Sequence, residues 1–293
     1  MRSHLRSFHS ALFLRHENPL GLPKTGKAPG VPRASLGLAA RQAIPNVRKV
    51  ILVSSAKGGV GKLTVAVNTA LALQRLGKPT GILDADIFGP SVPRLLRLEG
   101  EPRLSDLGKL LLLTNYGLPS MSMGYLVSAK SPVVWRGLMV MKALQQLLFE
   151  VDWPQLEYLI VDMPPGTGDT QLTIAQQVKV HGAVIVSTPQ DIALIDAVKG
   201  IAMFEKVKIP LLGLVQNMNY FVCPNCLHES HIFGHEGARR AAEKHGLNVI
   251  GSIPLDEKIC TLSDAGKPIL VAEPCSALSE TYMSIARAID GAT

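Results

Sequence analysis

An α/β fold, doubly wound around a mainly parallel sheet with helices on both faces, follows from three features of the sequence. From about residue 47 onward, short apolar runs alternate with amphipathic stretches of helical length. The runs are apolar at successive positions, as in Leu159-Ile160-Val161 and Ala183-Val184-Ile185-Val186, so both faces of each strand need covering. A glycine-rich turn joins the first run to the first amphipathic stretch, giving the strand–loop–helix unit from which such sheets are built.

The elements follow in order. Val50-Ile51-Leu52-Val53 centres a first strand over 49–54. A helix is expected over 64–76, stopped by Gly77, which suits a left-handed C-terminal turn. The next strand falls at 80–84; a helix at 136–150 precedes a strand at 158–163. Helix 170–178, strand 182–187, helix 192–206 and strand 211–216 continue the alternation. A helix at 235–245, stopped by Gly246, leads to a strand at 248–252 and a closing helix at 277–289. Met139, Met141 and Met203 sit at helical spacing and are assigned to the core.

At 293 residues and 47% hydrophobic composition, the chain can bury a sizeable core. It holds no run of about 18 apolar residues, so no transmembrane segment is expected. The formal charge of +7 is unevenly spread: residues 1–49 carry nine Lys/Arg against one acid, Glu17, and the remainder carries 21 against 22. The folded part therefore lacks the basic surplus that a nucleic-acid partner requires. Residues 1–16 contain Arg and Ser, no acid, and place Leu5, Phe8 and Leu12 on one helical face, the composition of a mitochondrial presequence. Residues 17–46 are rich in Pro and Gly and read as a linker. The expected division is a presequence and linker over 1–46 and one folded domain over 47–290, destined for the mitochondrial matrix.

Ligands of doubly wound sheets bind at the carboxyl ends of the strands, and each distinctive motif here follows a strand. Lys57-Gly58-Gly59-Val60-Gly61-Lys62-Leu63-Thr64 has the context of a phosphate-binding loop. Its glycines let backbone N–H groups converge on phosphate oxygens, the helix N-terminus adds a favourable dipole, and Lys62 supplies a point charge to the terminal phosphates. Asp84 and Asp86, after the second strand, can hold Mg²⁺ through water or orient an attacking water. Asp162 opens Asp162-Met163-Pro164-Pro165-Gly166-Thr167-Gly168-Asp169 and would bind Mg²⁺ through water, while Gly166 can offer its N–H to a γ-phosphate. That loop would tighten on a triphosphate and relax without it. Asn217 ends a later strand, where its amide can pair with an adenine edge. The nucleotide, ATP with Mg²⁺, would thus be bound by residues 57 to 64 with Asp84, Gly166 and Asn217; Lys62, Asp86 and Asp162 are the candidate catalytic residues, to which the resemblance given below adds Lys57.

Cys223-Pro224-Asn225-Cys226 supplies two of the four cysteines; Cys260 and Cys275 stand alone. One pair is half a ligand set, since zinc and [4Fe–4S] clusters each usually take four ligands. A two-fold dimer would supply four sulfurs. A dithiol redox motif, or a zinc site completed by His228 or His231, are the competing readings.

Together with Asp84-Ala85-Asp86-Ile87-Phe88-Gly89-Pro90-Ser91, Trp135-Arg136-Gly137 and Thr188-Pro189-Gln190-Asp191, these motifs resemble the Mrp/ApbC family over roughly residues 45–290. Its members are P-loop iron–sulfur cluster carriers related to the MinD ATPases, and the leader points to the mitochondrial branch that serves assembly of respiratory complex I. The resemblance implies that Lys57 reaches the phosphates of a partner subunit, that Asp86 positions the hydrolytic water and that Asn217 contacts adenine. It also implies that Cys223 and Cys226 bridge a labile [4Fe–4S] cluster across a homodimer. Assembly donors would supply the cluster, and apo iron–sulfur subunits of complex I would receive it.

Leu63 departs from the family, which has Ser or Thr there because Mg²⁺ needs a hard oxygen. Thr64 points about a quarter-turn away on the helix. Weak Mg²⁺ binding and very slow hydrolysis are expected. A translational alternative exists, since some nuclear codes read the leucine codon CUG as serine, and Leu107 and Leu227 also stand where polar residues fit. Two further functions compete: a MinD-like regulatory ATPase, which calls for an amphipathic C-terminal membrane helix, and a zinc or thiol module with a nucleotide switch. The segment from Tyr282 to Thr293 is short, with few basic residues.

Overall fold

The computed structural model describes residues 41–87, 89–126, 137–234 and 237–293. The presequence and most of the linker, Phe88, Trp135, Arg136 and the first residues of the helices expected at 136 and 235 lie outside them.

The first strand, β1 (Val47–Ser54), is buried on both faces over its second half and runs into α1 (Lys62–Arg75) and β2 (Thr80–Asp84). A short α2 (Val92–Leu95) and the hairpin β3 (Leu113–Asn115) and β4 (Leu118–Ser122) come next. The hairpin turns through Tyr116 and Gly117, both at positive φ (53° and 76°), the two-residue geometry that matches strand twist. Then follow α3 (Gly137–Phe149), β5 (Leu156–Asp162), α4 (Asp169–Gln177), β6 (Gly182–Ser187), α5 (Asp191–Lys206) and β7 (Leu211–Gln216). A two-stranded hairpin, β8 (Phe221–Val222) and β9 (Glu229–Ser230), precedes α6 (Gly237–Lys244), β10 (Val249–Ser252), α7 (Glu257–Asp264), α8 (Ile269–Ala272) and α9 (Ala277–Ala292).

The eight-stranded sheet has the order β10-β7-β6-β1-β5-β2-β4-β3, parallel throughout except where β3 meets β4. Alternation along each strand splits the core in two. Val50, Leu52, Leu159 and Val161 face one apolar cluster with α3, α4 and α5, while Ile51, Val53, Tyr158 and Ile160 face the other with α1 and α9. The doubly wound expectation is met, with every expected strand in place. The sequence did not yield β3 and β4, whose Leu-Pro-Ser-Met-Ser lacks an apolar run, or the short α7 and α8. Met203 packs against the first cluster, but Met139 is exposed. The closing helix buries Tyr282, Ile285, Ala286 and Ile289 against α1, so its apolar face is part of the core. No helix among the described residues is long and apolar enough to cross a membrane.

Candidate functional site

The loop after β1 is held open by its own backbone. Ser55 Oγ donates to the Lys57 carbonyl (2.9 Å), and Gly59 and Gly61 both take φ of +80°. At Gly61 a side chain is excluded twice over, because a Cβ would also land on the Asn217 amide. The loop and the start of α1 enclose a cavity of about 240 Å³, lined by Gly58, Gly59, Gly61, Lys62, Leu63, Thr64, Asp86 and Asp162. Lys57 is half-buried and Val60 buried, and neither lines it; Val60 instead accepts a hydrogen bond from Asn217.

Sheet register brings the acids to this end. Asp162 lies opposite Val53 on one side and Asp84 on the other. Lys62 Nζ donates to Asp162 Oδ2 at 2.5 Å, with both side chains almost fully buried at 8% and 2% exposure. Burial pushes Asp162 up to about 7, against the opposing pull of Lys62. Asp84 is occupied otherwise: its carboxylate accepts from the N–H groups of Asp86, Ser91 and Val92 and from Ser122 Oγ. Burial raises it to about 6, with these hydrogen bonds and Lys62 pulling the other way. Asp84 therefore shapes the loop that carries Asp86, and it is Asp86 that faces the cavity. Two buried oxygens, Asp86 Oδ1 and Asp162 Oδ1, have no hydrogen-bond partner.

These residues do not fit Mg²⁺ well. The ion demands near-octahedral hard oxygens, and the helix position that adjoins Lys62 offers the carbon side chain of Leu63. Leu63 is half-buried and packs against the second apolar cluster. Leucine suits that setting, whereas Leu107 and Leu227 are 83% and 76% exposed.

The loop after β5 touches the phosphate loop directly. Gly166, at φ of +98°, donates its N–H to the Ser55 carbonyl at 3.1 Å. Presenting that N–H to a phosphate requires breaking this bond.

A second cavity, also about 240 Å³, shares Gly61 and Thr64 with the first and is lined by Asn217, Met218, Pro254, Leu255, Ile259 and Cys260 among others. Together the two fall within the range of about 300–1,000 Å³ usual for small-molecule sites. Asn217 is buried, its N–H donates to the Ser187 carbonyl, and its Nδ2 donates to the Val60 carbonyl at 2.8 Å. Sequence reasoning found Asn217 but missed the wall that α7 supplies. A signal was present in Asp256, which caps α7 by accepting from the Lys258 N–H.

Cys223 and Cys226 lie on the β8–β9 hairpin, Cys223 half-buried and Cys226 exposed. Cys223 N–H donates to the His228 carbonyl, and Leu227 N–H to the Cys223 carbonyl. The N–H groups of Cys226 and Asn225 hold the Cys223 thiol below its ordinary pKa, which favours the thiolate that binds metal. No three His, Cys, Asp or Glu side chains among the described residues come together to hold a metal, so His228 and His231 do not complete a set. The root of the hairpin is tied to the second cavity: Leu255 N–H donates to the Tyr220 carbonyl, and Asn219 Nδ2 to Ser252 Oγ.

A strand–glycine loop–helix, an aspartate ending the neighbouring strand and a buried lysine between them define a P-loop NTPase. Comparison with known proteins agrees. Residues 46–290 match the ParA family profile described as NUBPL iron-transfer P-loop NTPase, and the chain belongs to that family. It is 54% identical over 254 residues to the iron–sulfur cluster transfer protein NUBPL of Mus musculus, covering 86% of this chain and 80% of that one. It is 52% identical over 242 residues to an Arabidopsis thaliana iron–sulfur protein required for NADH dehydrogenase, mitochondrial (82% and 77% covered). Among solved structures, a nucleotide-binding protein from Archaeoglobus fulgidus in complex with ADP superposes with a TM-score of 0.70 at 39% identity, covering 81% and 93%. MinD of Pyrococcus furiosus, at 19% identity and a TM-score of 0.62, shares the fold.

Proposed function

We propose that this chain is a mitochondrial, ATP-binding carrier of iron–sulfur clusters that delivers [4Fe–4S] cargo to apo-subunits of respiratory complex I. The observation that carries this is a solvent-facing Cys-x-x-Cys pair rooted in the wall of a nucleotide site, in a chain whose relatives are named for iron–sulfur transfer and for NADH dehydrogenase. Two protomers each lend Cys223 and Cys226, and the cluster sits on the two-fold axis. An exposed site with few ligands suits a cargo that must leave by thiol exchange. The compartment is the matrix, reached by the leader of residues 1–46.

The nucleotide organises the dimer. Its phosphates take the N–H groups of residues 58 to 62 and the Lys62 ammonium, and its base enters the cavity beside Asn217. Lys57, which does not line its own cavity, reaches the phosphates of the facing protomer. Asp86 is the group placed to orient a water. Asp162 and Gly166 register the terminal phosphate, the first by releasing Lys62 and the second by giving up Ser55. The segment from Asn217 to Tyr220 carries the nucleotide state to the cysteines.

Anaerobic reconstitution with ferrous iron and sulfide tests the cargo. The expected product is a dimer holding about two irons per protomer with the broad visible absorbance of a [4Fe–4S] cluster. A protein that stays colourless and monomeric, or that takes up zinc tightly and no iron, overturns it in favour of a thiol or zinc module.

A further inference from the structure

Resting on the nucleotide-binding function above, we propose that this chain takes its nucleoside triphosphate without magnesium and keeps it uncleaved, so that the nucleotide acts by arriving and leaving. Four features of the phosphate cavity lead there. The side chain next to Lys62 is Leu63, which lines the cavity yet packs into the second apolar cluster, so no hydroxyl stands where a metal would meet the β- and γ-phosphates. Thr64 carries a hydroxyl, but it sits about 100° further round the helix, where the two cavities meet. Asp84 cannot compensate, because it is buried and does not line the cavity, with Oδ2 accepting from Ser91, Val92 and Ser122 and Oδ1 from the Asp86 N–H.

The fourth feature is the Lys62–Asp162 pair. The carboxylate that would hold the metal's water shell is engaged through Oδ2 by an ammonium at 2.5 Å, both groups almost fully buried at the cavity wall. Bringing in a triphosphate trades this pair for a Lys62–phosphate pair without a divalent ion. The remaining counter-charge comes from the loop N–H groups and the N-terminus of α1. With no metal to draw charge from the β–γ bridge and the leaving group, cleavage loses its main electrostatic support. The nucleotide persists, and the loop around Gly166 is set by exchange of ligand.

The test is binding, measured by calorimetry on the purified full chain with ATP and a non-hydrolysable analogue, in excess EDTA and in excess Mg²⁺. Dissociation constants within about threefold of each other in the two conditions are expected, whereas Leu63→Ser should bind at least about tenfold more tightly with Mg²⁺ than without. A second readout needs no variant: electron paramagnetic resonance of Mn²⁺ added to the nucleotide-loaded protein should show no more ion bound than ATP alone accounts for. Tightening of the unaltered chain by about tenfold or more in Mg²⁺ overturns the inference and leaves nucleotide binding intact. Binding in neither condition overturns nucleotide binding itself, and this inference with it. Peptide mass spectrometry of protein from its native source should give leucine at position 63; a serine mass there also overturns it.

Discussion

The phosphate-binding end of the sheet and the cysteine hairpin are built to opposite specifications. The first is buried and over-determined. Asp84 accepts four hydrogen bonds, Lys62 and Asp162 pair out of water, and Asn217 bonds across 157 residues of sequence to Val60. The second is two strands of two residues each, with Cys226 and Leu227 in solvent. Local stability follows buried contact, so the first region keeps its fold and on binding exchanges only particular partners, Lys62 from Asp162 and Gly166 from Ser55, while the second takes its order from what it binds. A molecule that must hold one site ready for an exchanging nucleotide and surrender cargo from another gains from that division.

The division is broken most completely at the cysteines. Cys223→Ala or Cys226→Ala should reduce iron from about two per protomer to none after reconstitution, while the thermal midpoint of the metal-free chain moves by less than the equivalent of about 0.5 kcal/mol. A large loss of stability in either variant would mean that the hairpin belongs to the folded core after all.

Gly61→Ala attacks the other region, with a smaller but still severe effect. Its φ of +80° costs an alanine about 1–2 kcal/mol, and the added carbon displaces the Asn217 amide, breaking its bond to the Val60 carbonyl. Destabilisation of about 2–3 kcal/mol is expected, together with weaker binding of adenosine nucleotides than of inorganic triphosphate. Equal weakening of both would place the damage in the phosphate loop alone.

Much of the buried region was legible in the sequence because its signals are local. Apolar runs on both strand faces gave six strands of the sheet, and acids at strand ends gave Asp84, Asp86 and Asp162. What the residues by themselves did not show was which acid does what, although the family resemblance assigned the water to Asp86. Asp84 and Asp86 look alike in Asp84-Ala85-Asp86, and only the fold shows that Ser91, Val92 and Ser122 consume the first. The wall of the base cavity was hidden for the same reason, since α7 is about two turns long and meets Gly61 and Thr64 only through tertiary packing. The hairpin was half legible: the cysteine spacing announces metal chemistry, but not how many ligands the fold supplies.

Acid titration sharpens the contrast more gently. Asp84 and Asp162 hold folded-state pKa values of about 6 and about 7, both raised by burial from an ordinary 3.8. With raised values, the fold retains protons that the unfolded chain has released, so their contribution is full below about pH 4 and is lost as pH rises to about 7. Urea midpoints of the nucleotide-free protein should fall across that window, by at most about 1.4 kcal/mol per pH unit for each group. Asp84→Asn should flatten the slope; an unchanged slope would falsify the assignment to Asp84.

The smallest effect expected is at Leu227, and it separates strain from function within the hairpin. Leu227 sits at φ of +58° with its side chain in solvent, directly after Cys226. A left-handed leucine costs about 1 kcal/mol, and no buried contact offsets it, so Leu227→Gly should stabilise the metal-free protein by up to about 1 kcal/mol. The turn that carries both cysteines is held by the backbone bonds from residue 227 to the Cys223 carbonyl and from Cys223 to the His228 carbonyl, both of which glycine keeps. Iron uptake should therefore match that of the unaltered chain. If the glycine variant gains stability but loses iron, the leucine side chain is part of the surface that closes over the cluster, and the hairpin is less open in the dimer than it is in one protomer.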